Sequence, residues 1–321
     1  MANASAPHSP SSDRKLSPLL IAGPTAVGKS AIALLLAEKL GGEIVSVDSM
    51  QVYRGMDIGT AKPSAPERGR VPHHLIDVVE VTQPFDAAQF VQLAHLAVAD
   101  IQDRGKVPIL CGGTGLYFKA FLEGLSPGPS ADAALRAILA ATPLSERLRE
   151  LAERDPVAYE RIDRKNPRRV IRAIEVIRLT GKPFSSRRVD WHRAARSTDH
   201  APQGFGFTRS FADLRQRIDA RVDAMFCAGW VAETEGLTRR GLPQNKTAMQ
   251  ALGYRQIVEH LRGERPLPET IELVKIRTRH YAKRQMTWFK RQLQFNWLDL
   301  ESQSSAEEIV TRLSELRAVD A

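Results

Sequence analysis

Residues 19–30 read LLIAGPTAVGKS, and this stretch decides the fold of the chain. An apolar run leads into Gly23, four further residues and then Gly28-Lys29-Ser30, which is the spacing of a phosphate-binding loop. In such a loop the backbone N–H groups and the start of the following helix point at one anion, the lysine adds positive charge, and the hydroxyl can hold Mg²⁺. The apolar residues 31–37 are typical of a buried helix. We therefore predict a strand, a phosphate loop over 23–30 and a helix.

Two further stretches predict the strands that flank the phosphate loop. Residues 43–48, EIVSVD, form an apolar run that ends in an acid, and residues 107–111, VPILC, form another after a helical pattern over 87–104. In an α/β fold with a parallel sheet, ligands bind at the carboxyl ends of the strands. We therefore predict a doubly wound parallel sheet of the P-loop NTPase type, with Asp48 and Ser49 beside the loop.

The phosphate loop alone does not identify the reaction, since kinases, ATPases, GTPases and some group transferases share it. A kinase or ATPase also needs an acidic residue held by a second hydrophobic strand. The strand over 107–111 runs instead into Gly112-Gly113-Thr114-Gly115, which contains no acid. This absence weakens the hypothesis of triphosphate hydrolysis without excluding it.

A change of pattern at residues 126–130, SPGPS, marks a domain boundary. Beyond it we expect almost only helices, first a small, mostly helical insertion domain and then a helical C-terminal region. The clearest helix has Asn166 as its N-cap, Pro167 at its first position and Gly181 at its end. Residues 185–210 are polar and rich in arginine, so we expect a mobile or loosely ordered connection there.

The positive charge of the chain is concentrated in its second part. The net charge is +9, but residues 1–130 hold 11 Lys/Arg against 12 Asp/Glu. Residues 161–196 hold 12 Lys/Arg, and residues 273–298 hold seven Lys/Arg and no acid. Basic runs of this kind, interleaved with aromatic residues in the second, favour a polyanion as partner.

The second basic run predicts one long helix. Arg277, Arg284 and Arg291 recur every seven residues and would form a basic stripe along it. Trp288 lies in the same run, where it could pack in the core or stack on a base. Core packing is the commoner duty of such a residue.

Composition excludes several classes of protein. The chain is 43% hydrophobic and 26% charged, as in ordinary globular proteins, and no apolar run reaches the roughly 18 residues of a membrane span. Two cysteines give neither a metal cluster nor a disulfide framework. Residues 1–18 lack the apolar segment of a secretory signal, so we expect a disordered tail and a cytoplasmic protein.

A series of motifs resembles one family, in order along the chain. These are GPTAVGKS (23–30), VDSMQVYRGMDIGTAKP (47–63), PHHLIDV (72–78), CGGTGLYFKAFLEGL (111–125), NPRRVIRAIEV (166–176), ALGYRQ (251–256) and AKRQMTWFKRQ (282–292). Together they resemble the bacterial tRNA dimethylallyltransferases, the tRNA isopentenyltransferases that modify the adenosine next to the anticodon. The stretch over 47–63 is highly specific for them.

The resemblance implies a reaction and a donor site. In this family a dimethylallyl group passes from dimethylallyl diphosphate to N6 of adenosine 37, in tRNAs that read codons beginning with U, and Mg²⁺ assists departure of the diphosphate. The diphosphate would lie on Gly23, Pro24, Thr25, Ala26, Val27, Gly28, Lys29 and Ser30, with Ser30 also holding Mg²⁺. Asp48 matches the catalytic base, Thr114 a threonine at the diphosphate or tRNA site, and Arg221 an arginine that meets the leaving group. Arg217, one turn away, is an alternative to Arg221.

The resemblance also implies an acceptor site and a division into domains. The expected tRNA contacts are Asp48, Ser49, Met50, Gln51, Arg136, Arg168, Arg169, Val170, Ile171, Arg172, Gln250, Gly253, Tyr254, Arg255, Lys283, Arg284, Gln285, Trp288 and Lys290. Residues 19–128 and 206–300 would form the phosphate-loop core with its tRNA-binding helices. Residues 129–205 would clamp the anticodon stem-loop, and 301–321 would form a C-terminal helix or tail. The protein would act as a monomer.

Other functions stay open from the sequence. An adenylate isopentenyltransferase would use the same chemistry on free AMP or ADP, although such an acceptor needs no long basic helix. A P-loop kinase or ATPase with an incidental basic surface is a second alternative. A tRNA-binding protein without catalysis is a third.

Overall fold

The computed structural model describes residues 16–125, 128–129, 131–187, 203–300 and 305–319. The expected disordered tail therefore lies outside the described residues except for 16–18, where the carbonyl of Leu16 accepts a hydrogen bond from the Gln102 side chain at 2.8 Å. The chain divides into two compact units. One comprises Met1–Leu122 with Asp199–Ala321, and the other comprises Glu123–Thr198.

The first unit is built on a parallel β-sheet. Its strands in the described ranges are β1 (Leu19–Ala22), β2 (Glu43–Val47), β3 (His73–His74), β4 (Pro108–Gly112), β5 (Gln203–Thr208) and β6 (Asn296–Asp299). They lie in the order β3-β2-β4-β1-β5-β6, and each neighbouring pair is parallel. The predicted α/β fold with a doubly wound parallel sheet is confirmed.

Helices and short turns connect the strands. The helices are α1 (Lys29–Leu40), α2 (Ala65–Arg70), α3 (Ala87–Asp103), α4 (Gly115–Glu123), α5 (Ala133–Ala141), α6 (Leu144–Arg154), α7 (Pro156–Arg161), α8 (Pro167–Thr180), α9 (Phe211–Cys227), α10 (Trp230–Arg239), α11 (Tyr254–Leu261), α12 (Leu267–Gln292) and α13 (Ala306–Val319). Single 3₁₀ turns cover Ser185–Arg187, Leu242–Gln244 and Ala248–Gln250. No helix among the described residues is both long enough and apolar enough to span a bilayer.

Both faces of the sheet are covered, which explains why its central strands are apolar along their whole length. Successive side chains of a strand point to opposite faces. Leu20 and Ala22 of β1 contact a core formed with α3, α4 and α9–α12, whereas Leu19 and Ile21 contact a second core formed with α1 and α13. A strand buried on both faces has no polar side to show in its sequence.

Strands β5 and β6 correct the sequence analysis, which expected a loose connection up to 210 and helices beyond. Residues 203–208 form β5, which pairs with β1 and β6, so the last residues of the expected insertion domain belong to the sheet. The segment QGFGFT lacks β-branched residues apart from its last one, and glycine disfavours strands. Tertiary packing overrides this preference, because a Cβ at Gly204 or Gly206 would lie 2.3 Å from Phe295 or 2.7 Å from Trp297. The aromatic rings occupy the space that strand side chains would fill.

The second unit is helical, as expected for residues within the insertion. Helices α5–α8 enclose a small core that includes Leu139, Leu151, Val170 and Ile174. The predicted boundaries of α8 are confirmed: the Asn166 side chain accepts a hydrogen bond from the backbone N–H of Arg169, the third residue of the helix, at 3.4 Å, and Gly181 ends the helix with a φ of 69°. The role of this unit in holding RNA stays a prediction.

A buried carboxylate anchors the first residue of β2. Glu43 is 1% exposed, and it accepts hydrogen bonds from Arg104 at the end of α3 and from Lys106 at 2.9 Å. His74 of β3 contacts the same carboxylate at 2.7 Å. The bonds from Arg104 are the main reason that the pKa of Glu43 falls to about 2.

Replacing Glu43 by glutamine should destabilise the protein by about 1–3 kcal/mol at neutral pH, because the buried carboxylate is replaced by an amide that cannot accept all the hydrogen bonds of its partly exposed cationic partners. The folded-state pKa is depressed, so the stabilisation is complete above the unfolded pKa of about 4.5 and is lost as the pH falls towards 2. Urea unfolding at pH 7 and pH 3 should therefore show a smaller gap between wild type and Glu43→Gln at the lower pH. Glu38→Gln, which removes a surface pair with Arg70, is the control. A gap that stays constant with pH would contradict this account.

Candidate functional site

The phosphate loop connects β1 to α1 and bends sharply in two places. Gly28, immediately before α1, has a φ of 108°, and Ala26 has a φ of 64°, a conformation that is uncommon outside glycine. The Lys29 ammonium group donates a hydrogen bond to the carbonyl oxygen of Pro24 at 3.1 Å. The charge of the lysine therefore lies over the loop at the N-terminal end of α1.

Two arginines hold the loop backbone from outside. Nε of Arg217 donates to the carbonyl oxygen of Ala26 at 2.9 Å, and Nε of Arg209 donates to that of Val27 at 2.8 Å. The Nη2 atom of each arginine lies 3.8 Å from the point that a Cβ would occupy at Gly28. The strained conformation of the loop is thus supported by side chains that also bring positive charge to it.

The side chain of Gln285 joins the loop to the segment after β4. Its Oε1 accepts from the N–H of Thr25 at 2.9 Å, and its Nε2 donates to the carbonyl of Gly113 at 2.8 Å. A Cβ at Gly113 would lie 2.4 Å from Gln285, and a Cβ at Gly115 would lie 2.1 Å from the indole of Trp288. The glycines therefore let α12 approach closely. This contact shows that Trp288 packs within the protein, which is one of the two roles considered for it; the other was stacking on a base.

Asp48 follows β2 and is fixed beside the loop. Its Oδ1 accepts hydrogen bonds from the backbone N–H of Met50 at 2.8 Å and of Gln51 at 3.3 Å. The hydroxyl oxygen of Thr114 accepts from the N–H of Ser49 at 3.1 Å, which ties the same turn to the end of β4. Because β2 and β4 are parallel neighbours, their ends place these two side chains together.

A cavity of about 340 Å³ opens next to this turn. Its polar lining includes Thr25, Asp48 and Arg221. Its apolar lining includes Met50, Val222, Met225, Trp230 and Leu252. The cavity thus combines an acid, a cation and apolar walls, as sites for small amphiphilic ligands commonly do.

Burial disfavours the charged forms of two cations of the site, Arg221 and Lys29. Burial lowers the pKa of Arg221, an effect that the charge of Asp48 opposes and the charge of Arg217 increases. Burial also lowers the pKa of Lys29, and Asp48 opposes that change too. Arg221 lines the cavity together with Asp48, whereas Arg217 bonds to the loop backbone. An anion on the loop would be attracted by both arginines.

The structure brings together part of the expected tRNA-contacting set. Asp48, Ser49, Met50, Gln250 and Arg284 all line the 340 Å³ cavity. Lys283 and Lys290 are exposed and line a second cavity of about 340 Å³, formed with residues of α9. These two lysines therefore lie on a different face of α12 from Arg284.

Three residues of the expected tRNA-contacting set use their side chains within the protein, and their contact with tRNA stays a prediction. Tyr254 is 0% exposed and its hydroxyl bonds to Glu233 at 2.6 Å, so its side chain presents no surface to RNA. Gln285 is 8% exposed and its amide is used within the protein. Gln51 is half-buried, and its amide donates to two backbone carbonyls at 3.1 and 3.2 Å. Hydrophobicity patterns do not reveal such bonds.

The remaining members of that set around 253–255 have structural contacts. Gly253 has a φ of 88° and packs against Trp230, where a Cβ would come within 1.9 Å. The guanidinium of Arg255 is exposed and pairs with Glu259 at 3.0 Å. Arg255 is therefore the member of this turn that offers a charged group to solvent.

In the second unit, Arg168 and Arg169 line a cavity of about 450 Å³ at the N-terminus of α8. Arg172 also borders it, beside Arg161. A helix N-terminus flanked by arginines is suited to a phosphate group. Arg168 and Arg169 therefore lie at a surface that suits a phosphate group, and their role in RNA binding stays a prediction.

Two other arginines predicted to contact tRNA, Arg136 and Arg172, form ion pairs with the buried carboxylate of Glu175. Arg136 donates to Glu175 at 2.8 and 3.0 Å, and Arg172 donates to it at 2.6 Å. Burial would raise the pKa of Glu175, but these bonds hold it below its usual value. Val170 is 0% exposed and Ile171 packs on the core of the unit, so both side chains serve the core, and the tRNA contact expected of these two residues stays a prediction. Both lie on the apolar face that makes α8 amphipathic.

The described residues contain no cluster of three or more His, Cys, Asp or Glu that could hold a metal by themselves. Mg²⁺ commonly takes one or two protein oxygens and completes its shell with substrate phosphates and water. Ser30 is exposed in the first turn of α1, beside the phosphate loop. Its hydroxyl fits a metal that arrives with a phosphorylated ligand.

Three residues of the site, Arg209, Trp230 and Glu233, were not among the sequence candidates. Arg209 directly follows β5, and it was missed because that strand was missed. Tyr281 also lines the cavity, and burial raises the pKa of its hydroxyl. Trp230 and Glu233, on α10, hold the cavity walls. An aromatic residue and an acid on an amphipathic helix carry no sequence signal that separates them from core and surface residues.

A parallel sheet with a phosphate loop after β1, an acid directly after β2 and several partly buried cations defines a class. The protein is an α/β protein of the P-loop type, with a site for a phosphorylated ligand at the carboxyl ends of β1, β2 and β4. The IPP transferase family model matches residues 51–292, and the chain belongs to this family.

Relatives and solved structures agree with that assignment. tRNA dimethylallyltransferase 1 of Trichlorobacter lovleyi is 47% identical over 284 residues, 87% of this chain and 92% of its own length. The tRNA isopentenylpyrophosphate transferase of Bacillus halodurans has a similar structure, with a TM-score of 0.70, 37% identity and coverage of 96% of this chain and 97% of its own. A eukaryotic dimethylallyltransferase acting on tRNA has a TM-score of 0.79 at 27% identity, covering 94% of this chain and 80% of its own.

Replacing Gly115 by alanine should destabilise the protein by about 1–3 kcal/mol, because the added methyl group would overlap the buried part of Trp288. Gly69→Ala is the matched control, since nothing lies within 4 Å of its Cβ position and its place in α2 favours alanine. Urea unfolding of both variants measures the difference. Equal stability of the two would show that Trp288 does not pack against the glycine segment.

Proposed function

We propose that this protein transfers a dimethylallyl group from dimethylallyl diphosphate to N6 of adenosine 37 of tRNAs that read codons beginning with U, releasing diphosphate. The observation that carries the proposal is the meeting of an acid, Asp48, and a buried cation, Arg221, in one cavity beside the phosphate loop. The names of the relatives support the donor and the acceptor.

The donor side of the reaction needs stabilisation of a leaving group. Negative charge grows on the diphosphate as its bond to the allyl carbon breaks. We assign the diphosphate to the phosphate loop over 23–30, through backbone N–H groups other than that of Thr25, which donates to Gln285, and to Lys29, with Arg221 meeting the departing oxygen. Charges that are in place before the reaction stabilise the transition state without reorganisation.

The acceptor side needs removal of a proton from an exocyclic amine. We assign this role to Asp48, whose Oδ1 is held by two backbone N–H groups. Its Oδ2 makes no hydrogen bond to the described residues and is therefore available to the amine. The bonds at Oδ1 fix the orientation of the carboxylate, which a base acting within hydrogen-bond reach requires. Thr114 would keep the Asp48 turn against the end of β4.

We propose Mg²⁺ as the cofactor, held by the hydroxyl of Ser30 and by the substrate phosphates. When bound, it would offset part of the charge of the leaving diphosphate. The residues of the chain do the rest: the loop would bind the diphosphate, and Val222 and Met225, on the α9 wall of the cavity, would exclude water from the allyl carbon.

We propose the anticodon stem-loop of tRNA as the partner. The basic residues of α12 support this: Arg284 lines the cavity that contains Asp48, and Lys283 and Lys290 are exposed on another face of the helix, where they offer charge to a phosphate backbone. The second unit, residues 129–205 in the sequence prediction, would clamp the stem. A tRNA acceptor would place the protein in the cytoplasm. We also propose that it acts as a monomer, since one copy of the chain contains every residue assigned to the reaction.

The proposal is tested with purified protein, Mg²⁺ and labelled dimethylallyl diphosphate, offered unmodified tRNA, AMP or no acceptor in parallel. Label on tRNA alone is expected. Label on AMP would assign the chain to the free-nucleotide branch. Phosphate release from ATP, with no label transferred to either acceptor, would favour the kinase or ATPase alternative.

Asp48→Asn should lower turnover by roughly 10²–10⁴ while tRNA affinity stays within about twofold, because the amide keeps the shape of the side chain but cannot accept the proton. Single-turnover transfer and filter binding measure the two quantities. Asp100→Asn, on the surface of α3, is the control and should leave both unchanged. Equal losses of turnover and of binding in Asp48→Asn would show that Asp48 holds the RNA instead.

A further inference from the structure

The carboxylate of Glu233, in the first turn of α10, accepts hydrogen bonds from two separate segments of the chain. The backbone N–H groups of Asp57, Ile58 and Gly59 donate to it at 3.1, 2.7 and 3.4 Å. The hydroxyl of Tyr254 donates at 2.6 Å. A carboxylate can accept all four bonds at once, whereas a glutamine amide has only one accepting oxygen.

Trp230, one turn earlier on α10, packs against the same two segments. It is 2% exposed, and its indole lies against two glycines. A Cβ at Gly59 would come within 2.2 Å of Nε1, and a Cβ at Gly253 would come within 1.9 Å of the ring. One face of α10 therefore holds both segments, by hydrogen bonds through the acid and by close packing through the indole.

Both segments form walls of the cavity that contains Asp48. Gly59 and Thr60 line it from the first segment, and Gln250, Ala251 and Leu252 line it from the turn before α11. The first segment is also linked to the Asp48 turn, because the amide of Gln51 donates to the carbonyls of residues 60 and 61 at 3.1 and 3.2 Å. A change at Glu233 is therefore transmitted to the walls around Asp48.

The phosphate loop is held by a different set of side chains. Its backbone bonds go to Arg209, Arg217 and Gln285, which lie at the end of β5 and on α9 and α12. None of these bonds involves α10. The hydrogen bonds that hold the loop are thus distinct from those that Glu233 accepts, so a substitution of Glu233 removes none of the loop's bonds.

We propose that Glu233 is a positioning residue for the acceptor. With Trp230 it holds residues 57–61 and 250–254 in the arrangement that receives the target adenosine, and it leaves binding of the diphosphate to the loop unaffected. This inference rests on the proposed transfer to tRNA. It adds that acceptor recognition depends on a carboxylate that does not itself contact either substrate.

The test compares Michaelis constants for the two substrates in Glu233→Gln. Losing hydrogen bonds to a charged, half-buried carboxylate should raise KM for tRNA by roughly tenfold or more, while KM for dimethylallyl diphosphate stays within about twofold. Equilibrium dialysis with labelled dimethylallyl diphosphate in the absence of tRNA should give an unchanged Kd. Glu235→Gln, two residues further along α10 in an exposed pair with Arg239, is the control and should leave both constants unchanged.

Two further variants separate positioning from folding. Glu233→Asp keeps the charge and should recover part of the lost tRNA affinity. Tyr254→Phe removes one of the four bonds and keeps the ring, so KM for tRNA should rise by a smaller factor even if Glu233→Gln does not fold. A purely structural role would lower the amount of folded enzyme, read from the unfolding curve, without changing either KM.

The outcomes are distinguishable. Equal rises in both Michaelis constants, or no rise for tRNA in any of the folded variants, would overturn the inference while wild-type transfer to tRNA still supported the proposed function. A wild-type protein that transfers no label to tRNA would overturn the proposed function and this inference with it.

Discussion

The site depends on one buried amide. Gln285, in the middle of the long helix α12, accepts from Thr25 of the phosphate loop and donates to Gly113 after β4. Residues separated by 260 positions in the chain are thereby held in one place. Neutral hydrogen bonds at a buried position have geometric requirements that few side chains meet, so this amide fixes the distance between the loop, the glycine segment and the basic helix. The basic helix proposed to contact RNA and the loop proposed to bind the diphosphate are joined through it.

The balance of charge around the loop follows from that arrangement. Cations converge on the loop from α1, α9 and the end of β5, and three of them donate to loop carbonyl oxygens. Each carbonyl draws a positive charge towards the place where an anion would bind, so the cations are oriented before any substrate arrives. Asp48 is the anion that opposes the effect of burial on Arg221 and Lys29. The acid that the proposed chemistry needs thus also moderates the repulsion among its neighbours.

The sequence predicted the parts of the fold that depend on local patterns. The loop over 23–30, the position of Asp48 after β2 and both ends of α8 follow from spacing, strand topology and capping residues, and the structure has them where expected. It did not predict β5 and β6, because a strand of alternating glycine and phenylalanine derives its stability from rings that are distant in the chain. Arg209 and Glu233 were missed for the same reason. Arg209 bonds to Val27, 182 positions away, and Glu233 bonds to Asp57, 176 positions away. No local pattern in the sequence encodes such contacts.

The glycines of β5 also restrict how this protein can change. Gly204 and Gly206 leave hollows that Phe295 and Trp297 fill, and these two rings follow directly after the basic helix. Replacing Gly204 or Gly206 by a residue with a side chain would require a smaller residue at position 295 or 297. As long as the aromatic rings are present, both positions must remain glycine. The two stretches are therefore expected to vary as a pair among related chains. A helix with a different pattern of basic residues could be grafted onto this scaffold only together with the strand beneath it.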